Sequence, residues 1–311
     1  MIPVGIVVKF SVLLMFAASA AYLHLRGQVR QPLARQLADH STFLAPYNAL
    51  VYLFSAVPRR PVLDPELLPE MAPIRANWHV IRQEALRLLE AGRIIPVDAS
   101  EDIGFSSFVR HGWKRFYLKW YGATLPSALA TCPETVRLLE SVPSVKAALF
   151  AMLPPGGKLG GHRDPFAGVL RYHLGLSTPN SPSCRIYVDG NPLWWRDGEA
   201  LVFDETYVHS AVNETDVPRI VLFCDVVRPL RTRVMRAVNA FVMRWLVPLT
   251  ASRNEDDEPL GAVNRVAGYA FGTKKFFHRL KKRTDPRLYY GVKYGGAALL
   301  VWLLLFSGWV L

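Results

Sequence analysis

The chain has 311 residues, which suits one catalytic domain of ordinary size with additional segments, or two small domains. Its formal charge of +12 favours an anionic partner, and its 51% hydrophobic content favours a membrane over nucleic acid, for which the sequence carries no recognised binding motif. Three widely spaced cysteines without a CxxC pair exclude a disulfide framework and a zinc ribbon.

Residues 1–25 are predicted to form an N-terminal transmembrane helix. The apolar run from Ile2 to Leu23 is interrupted only by Lys9, which can reach the interface from one end of the span. A signal peptide is the alternative, but the segment lacks a leading charged region, and its apolar run is long. The helix therefore predicts membrane attachment.

Residues 289–311 are predicted to form a second transmembrane helix, because residues 294–311 carry no charge. Basic residues follow the first span and precede the second, so the positive-inside rule places residues 26–290 in the cytoplasm. The same residues favour contact with anionic lipids of that membrane. They are Arg26, Arg30, Arg35, Lys274, Lys275, Arg279, Lys281, Lys282, Arg283, Arg287 and Lys293.

Residues 26–143 are predicted to be a membrane-proximal and helical region. A helix is expected from Asn77 to Gly92, and a second near Thr131, where Thr131 and Glu134 have the spacing of a capping box. The aromatic-rich residues 41–57 suit an interfacial segment, a wall of a substrate route or ordinary core packing, and the sequence leaves these alternatives open.

Residues 144–230 are predicted to form a mainly β core, because short β-branched and aromatic runs alternate there with turn residues. The turns are expected at residues 180–183 and 189–192. The predicted strands are Lys146–Leu153, Val169–Ser177, Cys184–Asp189, Glu199–Asp204 and Arg219–Val227. This spacing is typical of a sandwich or barrel.

Residues 231–288 are predicted to be a basic amphipathic region. A helical stripe of apolar residues begins at Val234 and reaches Trp245, with arginines beside it. The stripe suits either a helix that lies on the membrane or a helix packed on the β core.

A candidate metal site consists of His162, Asp164 and His209. Residues i and i+2 of a strand point to the same face, so His162 and Asp164 can reach one ion. Two histidines and one carboxylate are the protein ligands of non-haem iron(II) oxygenases.

A candidate cofactor site consists of Arg219, Arg171 and His173. A guanidinium matches a carboxylate in a bidentate pair, and Arg219 begins the last predicted strand. Arg171 and His173 share one face of an earlier strand, where they suit contact with a second carboxylate or ordering of the metal ligands. The set predicts a 2-oxoglutarate site beside the metal.

The run from His162 to Leu176 resembles the aspartyl/asparaginyl β-hydroxylase family, and within it the bacterial branch that hydroxylates lipid A acyl chains. Further similar segments extend the likeness to nearly the whole chain. They are His24–Gly27, Trp113–Gly122, Trp195–Glu199, Phe203–Thr206, Phe223–Val226 and the basic, apolar tail.

The resemblance implies a double-stranded β-helix of jelly-roll or cupin-like type, with flanking helices and a transmembrane helix at each end. It implies that His162, Asp164 and His209 bind Fe(II), that Arg219 holds the distal carboxylate of 2-oxoglutarate, and that Arg171 and His173 lie near the proximal one. O2 is the second cosubstrate. Ala151 stands where some protein-modifying relatives carry a serine that helps to bind the cosubstrate.

The implied reaction is hydroxylation at C2 of a secondary acyl chain of lipid A, at the bacterial inner membrane with the catalytic domain on the cytoplasmic side. Lys114, Arg115 and Lys119, interleaved with aromatic residues, suit such a substrate, and an ordinary pleated strand is the alternative. A membrane-tethered aspartyl/asparaginyl peptidyl hydroxylase and a non-enzymatic cupin-like membrane sensor are the competing hypotheses. The position of Arg219 disfavours the sensor.

Overall fold

The computed structural model describes residues 4–32, 36, 40–97, 102, 112–266, 285 and 295. Its core is a sandwich of two antiparallel sheets. The strands are β1 (Val62–Leu63), β2 (Ile95–Pro96), β3 (Lys114–Trp120), β4 (Ala123–Thr124), β5 (Val145–Leu153), β6 (Lys158–His162), β7 (Val169–Ser177), β8 (Cys184–Val188), β9 (Asn191–Trp194), β10 (Ala200–Phe203), β11 (His209–Asn213) and β12 (Arg219–Val227).

The eight strands β5 to β12 divide evenly between the two sheets. The large sheet contains the order β10-β7-β12-β5, and the small sheet has the order β6-β11-β8-β9, so successive strands cross repeatedly from one sheet to the other. This is the jelly-roll arrangement, and it confirms the predicted double-stranded β-helix. Strands β1, β2, β3 and β4, from the predicted region 26–143, extend the large sheet.

The central strands of the large sheet are buried along almost their whole length, whereas those of the small sheet alternate. Nearly every residue of β5, β7 and β12 is buried, while β8 and β11 bury every second residue. Helices cover the outer face of the large sheet, and this explains the continuous apolar runs of its strands. The inner faces of the two sheets face each other and enclose a pocket.

The helices of the described residues are α1 (Val4–Leu25), α2 (Ala45–Leu53), α3 (Ala72–Ala76), α4 (Trp78–Glu90), α5 (Pro126–Thr131), α6 (Pro133–Glu140) and α7 (Arg233–Trp245). Helix α4 confirms the prediction for residues 77–92, and it ends before Gly92, whose φ of 68° favours glycine. The predicted capping box is wrong. Thr131 is the last residue of α5, where its hydroxyl donates to the Ser127 carbonyl, and Cys132 precedes α6.

The five predicted strands all occur, with bounds that differ by at most one residue. Asn180 and Asp189 both have positive φ angles, which confirms turns at both predicted positions. The second turn, at Asp189 and Gly190, joins β8 to β9 as a tight hairpin.

Helix α1 has the length and apolar composition of a membrane span, and little of it is buried. Its C-terminal end packs against the core, since Leu23 shares a buried cluster with Tyr52, Ala167 and Met235. Apart from residue 295, the predicted second span, residues 289–311, lies outside the described residues, as does most of the basic segment before it.

Candidate active site

The three predicted metal ligands converge at one edge of the small sheet. His162 is the last residue of β6, and His209, the first residue of β11, is its neighbour in the antiparallel pairing. Asp164 lies beyond the end of β6, so the expectation that it shares a strand with His162 is wrong. Its backbone N–H donates instead to the Glu205 carbonyl at 2.9 Å, and this contact places it beside the histidines. One ligand atom from each residue lies within 4.8 Å of the others, so the three can share one metal ion.

Both imidazoles are oriented by a backbone carbonyl. His162 Nδ1 lies 2.7 Å from the Gly160 carbonyl oxygen, and His209 Nδ1 lies 3.0 Å from that of Tyr207. A carbonyl can only accept, so each Nδ1 carries a proton, and in the neutral form of each ring Nε2 carries the lone pair. Burial, together with the neighbouring His162, lowers the pKa of His209 to about 3 and keeps its imidazole neutral. The donor set therefore fits a divalent metal such as iron(II).

Arg171 lies at an acid-rich end of the pocket. Its guanidinium contacts Asp164 Oδ2 at 3.0 Å, Asp225 Oδ1 at 2.9 Å and Glu205. Burial opposes the charge of Arg171, but the three carboxylates raise its pKa above the ordinary value. Arg171 is thus ion-paired within the protein, and it fixes the orientation of the metal-ligand candidate Asp164.

Arg219 lies at the opposite end of the pocket. Its guanidinium lies 4.2 Å from the ring of Trp195, and its Nη1 lies 3.4 Å from the Ala151 carbonyl oxygen. Among the described residues, no Asp or Glu forms an ion pair with it. Burial lowers its pKa to about 10, so the side chain remains a cation at pH 7. A buried cation without a carboxylate partner is suited to bind an anionic ligand.

His173 lies between the two arginines. Trp195 Nε1 donates to its Nδ1 at 3.3 Å, so a neutral His173 carries its proton on Nε2. Burial and the charges of Arg171 and Arg219 hold the pKa of His173 well below its usual value. Its Nε2 is buried and has no hydrogen-bond partner in the described part of the chain. The ring can therefore donate one hydrogen bond to a ligand.

A pocket of about 420 Å³ connects these groups. The structure brings His162, His209, Arg171, His173 and Arg219 to its lining, with Asp164 beside it. Ala151 also lines it. Apart from Ser210 and Ala211, the remaining walls are formed by large apolar side chains: Trp113, Leu159, Ile186, Trp195, Phe203 and Phe223.

The sequence profile of the family described as aspartyl/asparaginyl beta-hydroxylase matches residues 75–229, which span every strand of the jelly roll. The ornithine lipid ester-linked acyl 2-hydroxylase of Rhizobium tropici is 37% identical over 190 residues, which cover 60% of this chain and 67% of that relative. This chain belongs to the aspartyl/asparaginyl β-hydroxylase family.

Other members of the family match a shorter part of the chain. The human aspartate beta-hydroxylase domain-containing protein 2 is 36% identical over 126 residues, 38% of this chain and 34% of that protein. Among solved structures, a Pseudomonas putida prolyl-4-hydroxylase covers 50% of this chain and 87% of its own, with 17% identity and a TM-score of 0.33.

Several residues of the site were not assigned to it from the sequence. Asp225 and Phe223 lie on β12 at steps of two from Arg219, so strand periodicity places all three on the same face. Glu205 precedes β11, and no local pattern indicates that it meets Arg171.

Two arginines near the site, Arg115 and Arg163, form their contacts within the protein. Arg115 on β3 is buried and pairs with Asp102 at 2.7 Å, so it supports the strand and is not available to a phosphate group. Arg163, between His162 and Asp164, points away from the metal site and toward α1. Its Nη1 donates to the Leu23 carbonyl at the end of α1, at 3.0 Å.

A second arginine completes this link between α1 and the site. The Arg26 guanidinium lies 3.9 Å from the rings of both Tyr52 and Tyr207, and its Nη2 donates to Thr206 Oγ1 at 2.5 Å. Tyr207 lies two residues before His209, so the C-terminal end of α1, together with Arg26, contacts both chain segments that carry metal-ligand candidates.

Proposed function

We propose that this protein is an Fe(II)- and 2-oxoglutarate-dependent hydroxylase that acts at C2 of an acyl chain in a membrane lipid. The observation that carries the proposal is the pocket itself, in which a two-histidine, one-carboxylate set stands opposite a buried arginine without an acidic partner among the described residues. Bound iron(II), with 2-oxoglutarate and O2, would supply oxidation of an unactivated C–H bond coupled to decarboxylation of the cosubstrate to succinate.

His162, Asp164 and His209 would hold the iron, and the rest of the pocket would bind and orient the cosubstrate. Arg219 would pair with the distal carboxylate of 2-oxoglutarate, because its guanidinium can donate two hydrogen bonds to it. His173 Nε2–H would donate to the cosubstrate near the metal. Arg171 would act through Asp164, since its charge is already balanced by three carboxylates.

The apolar walls of the pocket and the apolar helix α1 support a lipid substrate. The Rhizobium tropici relative is named as an acyl 2-hydroxylase of ornithine lipid, which supports an acyl chain as the target. Within that class we propose a secondary acyl chain of lipid A, at the cytoplasmic side of a bacterial inner membrane. An ester-linked acyl chain of ornithine lipid is the nearest alternative.

The second candidate is a membrane-tethered peptidyl hydroxylase of aspartyl or asparaginyl residues. Relatives named for aspartate beta-hydroxylase domains support it, and the same metal and cosubstrate residues would serve it. A membrane sensor without catalysis is disfavoured, because it gives no account of a buried arginine at a metal pocket.

Mass spectrometry of total lipid from cells with and without the protein tests the proposal. We expect one added oxygen on an acyl chain, absent with His162→Ala and retained with His79→Ala, a change at an exposed histidine of α4. Fragmentation distinguishes lipid A from ornithine lipid. If all lipids are unchanged while the membranes still convert 2-oxoglutarate, the lipid proposal fails and the peptidyl alternative replaces it.

A further inference from the structure

Helices α1, α2 and α7 pack together as a unit at one side of the jelly roll. Leu23 of α1, Val51 of α2 and Met235 of α7 belong to one buried cluster. Tyr47 of α2 also donates from its hydroxyl to Asn239 Oδ1 of α7 at 2.6 Å. The two short helices therefore lie beside the end of the membrane-span candidate.

Helix α7 exposes an apolar stripe in addition to the face that it buries. Met235, Asn239 and Val242 pack inward, whereas Phe241 and Trp245 are 60% and 58% exposed. A helix on the surface of a water-soluble domain usually presents polar residues outward. Further exposed apolar side chains lie on and near α2. Together with those of α7 they form the apolar platform, which consists of Phe43, Leu50, Leu53, Val234, Val238, Phe241 and Trp245.

The two chain segments that carry the apolar platform contain basic residues and no acidic ones. Residues 226–254 contain no Asp or Glu, and neither do residues 40–63. Arg233, Arg236 and Arg244 are exposed on α7, and the 3.6-residue period places them on a different flank from the apolar stripe. Apolar residues flanked by arginine suit the interfacial layer of a bilayer with anionic head groups.

We propose that the apolar platform lies in the interfacial layer of an anionic bilayer, beside the point where α1 leaves the membrane. Continuity with α1 identifies the occupant as lipid, because α1 is of span length, mostly exposed and packed on the same helices. Arg163 and Arg26 join the end of α1 to the segments that carry the metal-ligand candidates. The apolar platform and α1 together therefore set the position of the metal pocket relative to the membrane. The proposal rests on the proposed membrane placement of α1 and not on the hydroxylation chemistry.

Depth-dependent fluorescence quenching tests this contact. Phe241→Cys is labelled with a polarity-sensitive fluorophore in the full-length protein, in which the three native cysteines are buried, and reconstituted in phosphatidylcholine vesicles with or without phosphatidylglycerol. The matched control is Leu129→Cys, which is 51% exposed on α5, outside the platform. We expect nitroxide-labelled lipids to quench position 241 several-fold more than position 129, most strongly with phosphatidylglycerol.

Equal, weak quenching at both positions overturns the proposal. Cross-linking of position 241 to residues 267–311, or to a second copy of the chain, without lipid quenching also overturns it, because another occupant then covers the platform. Quenching does not require turnover, so a protein that contacts lipid but hydroxylates none refutes the proposed function and leaves this inference standing.

A variant that places two negative charges on the apolar platform gives a second readout. In Phe241→Glu/Trp245→Glu, we expect hydroxylation of vesicle lipid to fall roughly tenfold, because two large apolar side chains no longer bury their surface in lipid. Turnover of 2-oxoglutarate without lipid should be unchanged, as should both activities of Leu129→Glu. Where the native protein hydroxylates the vesicle lipid, an unchanged rate in the double variant contradicts the proposal.

Discussion

The two ends of the pocket hold buried arginines in opposite electrostatic surroundings. Arg171 contacts Asp164, Glu205 and Asp225, whereas Arg219 contacts the Ala151 carbonyl and the Trp195 ring. The carboxylates raise the pKa of Arg171 against the effect of burial, and burial lowers the pKa of Arg219 to about 10. The same residue type is thus stabilised by the protein at one end and left to a ligand at the other.

This difference assigns the two arginines separate tasks. Removing a buried cation from a satisfied network leaves its partners charged and unpaired, which destabilises the fold. Removing a buried cation that has no acidic partner relieves a desolvation cost and weakens only the binding of an anion. Stability and cosubstrate affinity therefore separate the two roles.

The largest expected effect is that of Arg171→Met on stability. The substitution leaves Asp164, Glu205 and Asp225 without their shared cation, and we expect the free energy of unfolding to fall by about 3–5 kcal/mol. Denaturant titration of the detergent-solubilised protein measures it. The control is Arg137→Met, at an exposed pair with Glu134, which should change little. Equal effects of the two substitutions would contradict a structural role for Arg171.

Arg219→Met should change affinity and not stability. Loss of a charged, bidentate contact predicts that 2-oxoglutarate binds about tenfold to 100-fold more weakly to the metal-loaded, oxygen-free protein. Fluorescence is a suitable readout, because Trp195 lies against the guanidinium. The free energy of unfolding should be unchanged or slightly higher, since no acidic partner among the described residues is left unpaired.

A one-carboxylate analogue separates this contact from binding at the metal. Pyruvate keeps the keto acid that a metal chelates but lacks the distal carboxylate. We expect the native protein to prefer 2-oxoglutarate strongly over pyruvate, and Arg219→Met to lose most of that preference. A variant that keeps the full preference would show that Arg219 does not hold the distal carboxylate.

Most of the strands of the jelly roll can be predicted from local sequence, whereas the contacts between them depend on pairing of distant segments. Strand β12 was predicted with both of its bounds, because its nine residues are mostly apolar and often β-branched and Pro218 precedes them. Strand β6 was not predicted, because its five residues include Gly160 and Gly161, which have low strand preference.

The site shows the same division. The spacing of His162 and Asp164 and the type of residue at Arg219 indicated a metal and an anion site before the fold was known. The distribution of acidic residues between the two ends was not predictable, because Asp225 meets Arg171 across 54 residues of chain. Arg163 likewise caps a helix that ends 138 positions earlier, at Leu25.

Tyr121→Phe tests whether the hydrogen bond from Tyr121 to Asp225 stabilises the acid-rich end of the pocket. The Tyr121 hydroxyl donates to Asp225 Oδ2 at 2.9 Å, and both groups are buried. Without this donor we expect the free energy of unfolding to fall by about 1.5 kcal/mol, with 2-oxoglutarate affinity unchanged. Denaturant titration and fluorescence binding measure the two quantities. A large loss of affinity with full stability would place Tyr121 at the cosubstrate instead.

The smallest effect is expected at Trp195, which links the two ends through His173. Trp195→Phe keeps an aromatic ring beside Arg219 but removes the indole N–H that donates to His173 Nδ1. Loss of one neutral hydrogen bond predicts a cost of about 1 kcal/mol, seen as roughly fivefold weaker binding of 2-oxoglutarate. The nitrogen chemical shifts of His173 should report a loss of the fixed Nε2–H tautomer, because no indole then holds Nδ1 as an acceptor.

Trp194→Phe, at the half-exposed neighbour on β9, should change neither the tautomer nor the affinity. If Trp195→Phe also leaves the tautomer intact, another group fixes the position of the proton on His173. The hydrogen bond from Trp195 then does not orient His173 toward the cosubstrate.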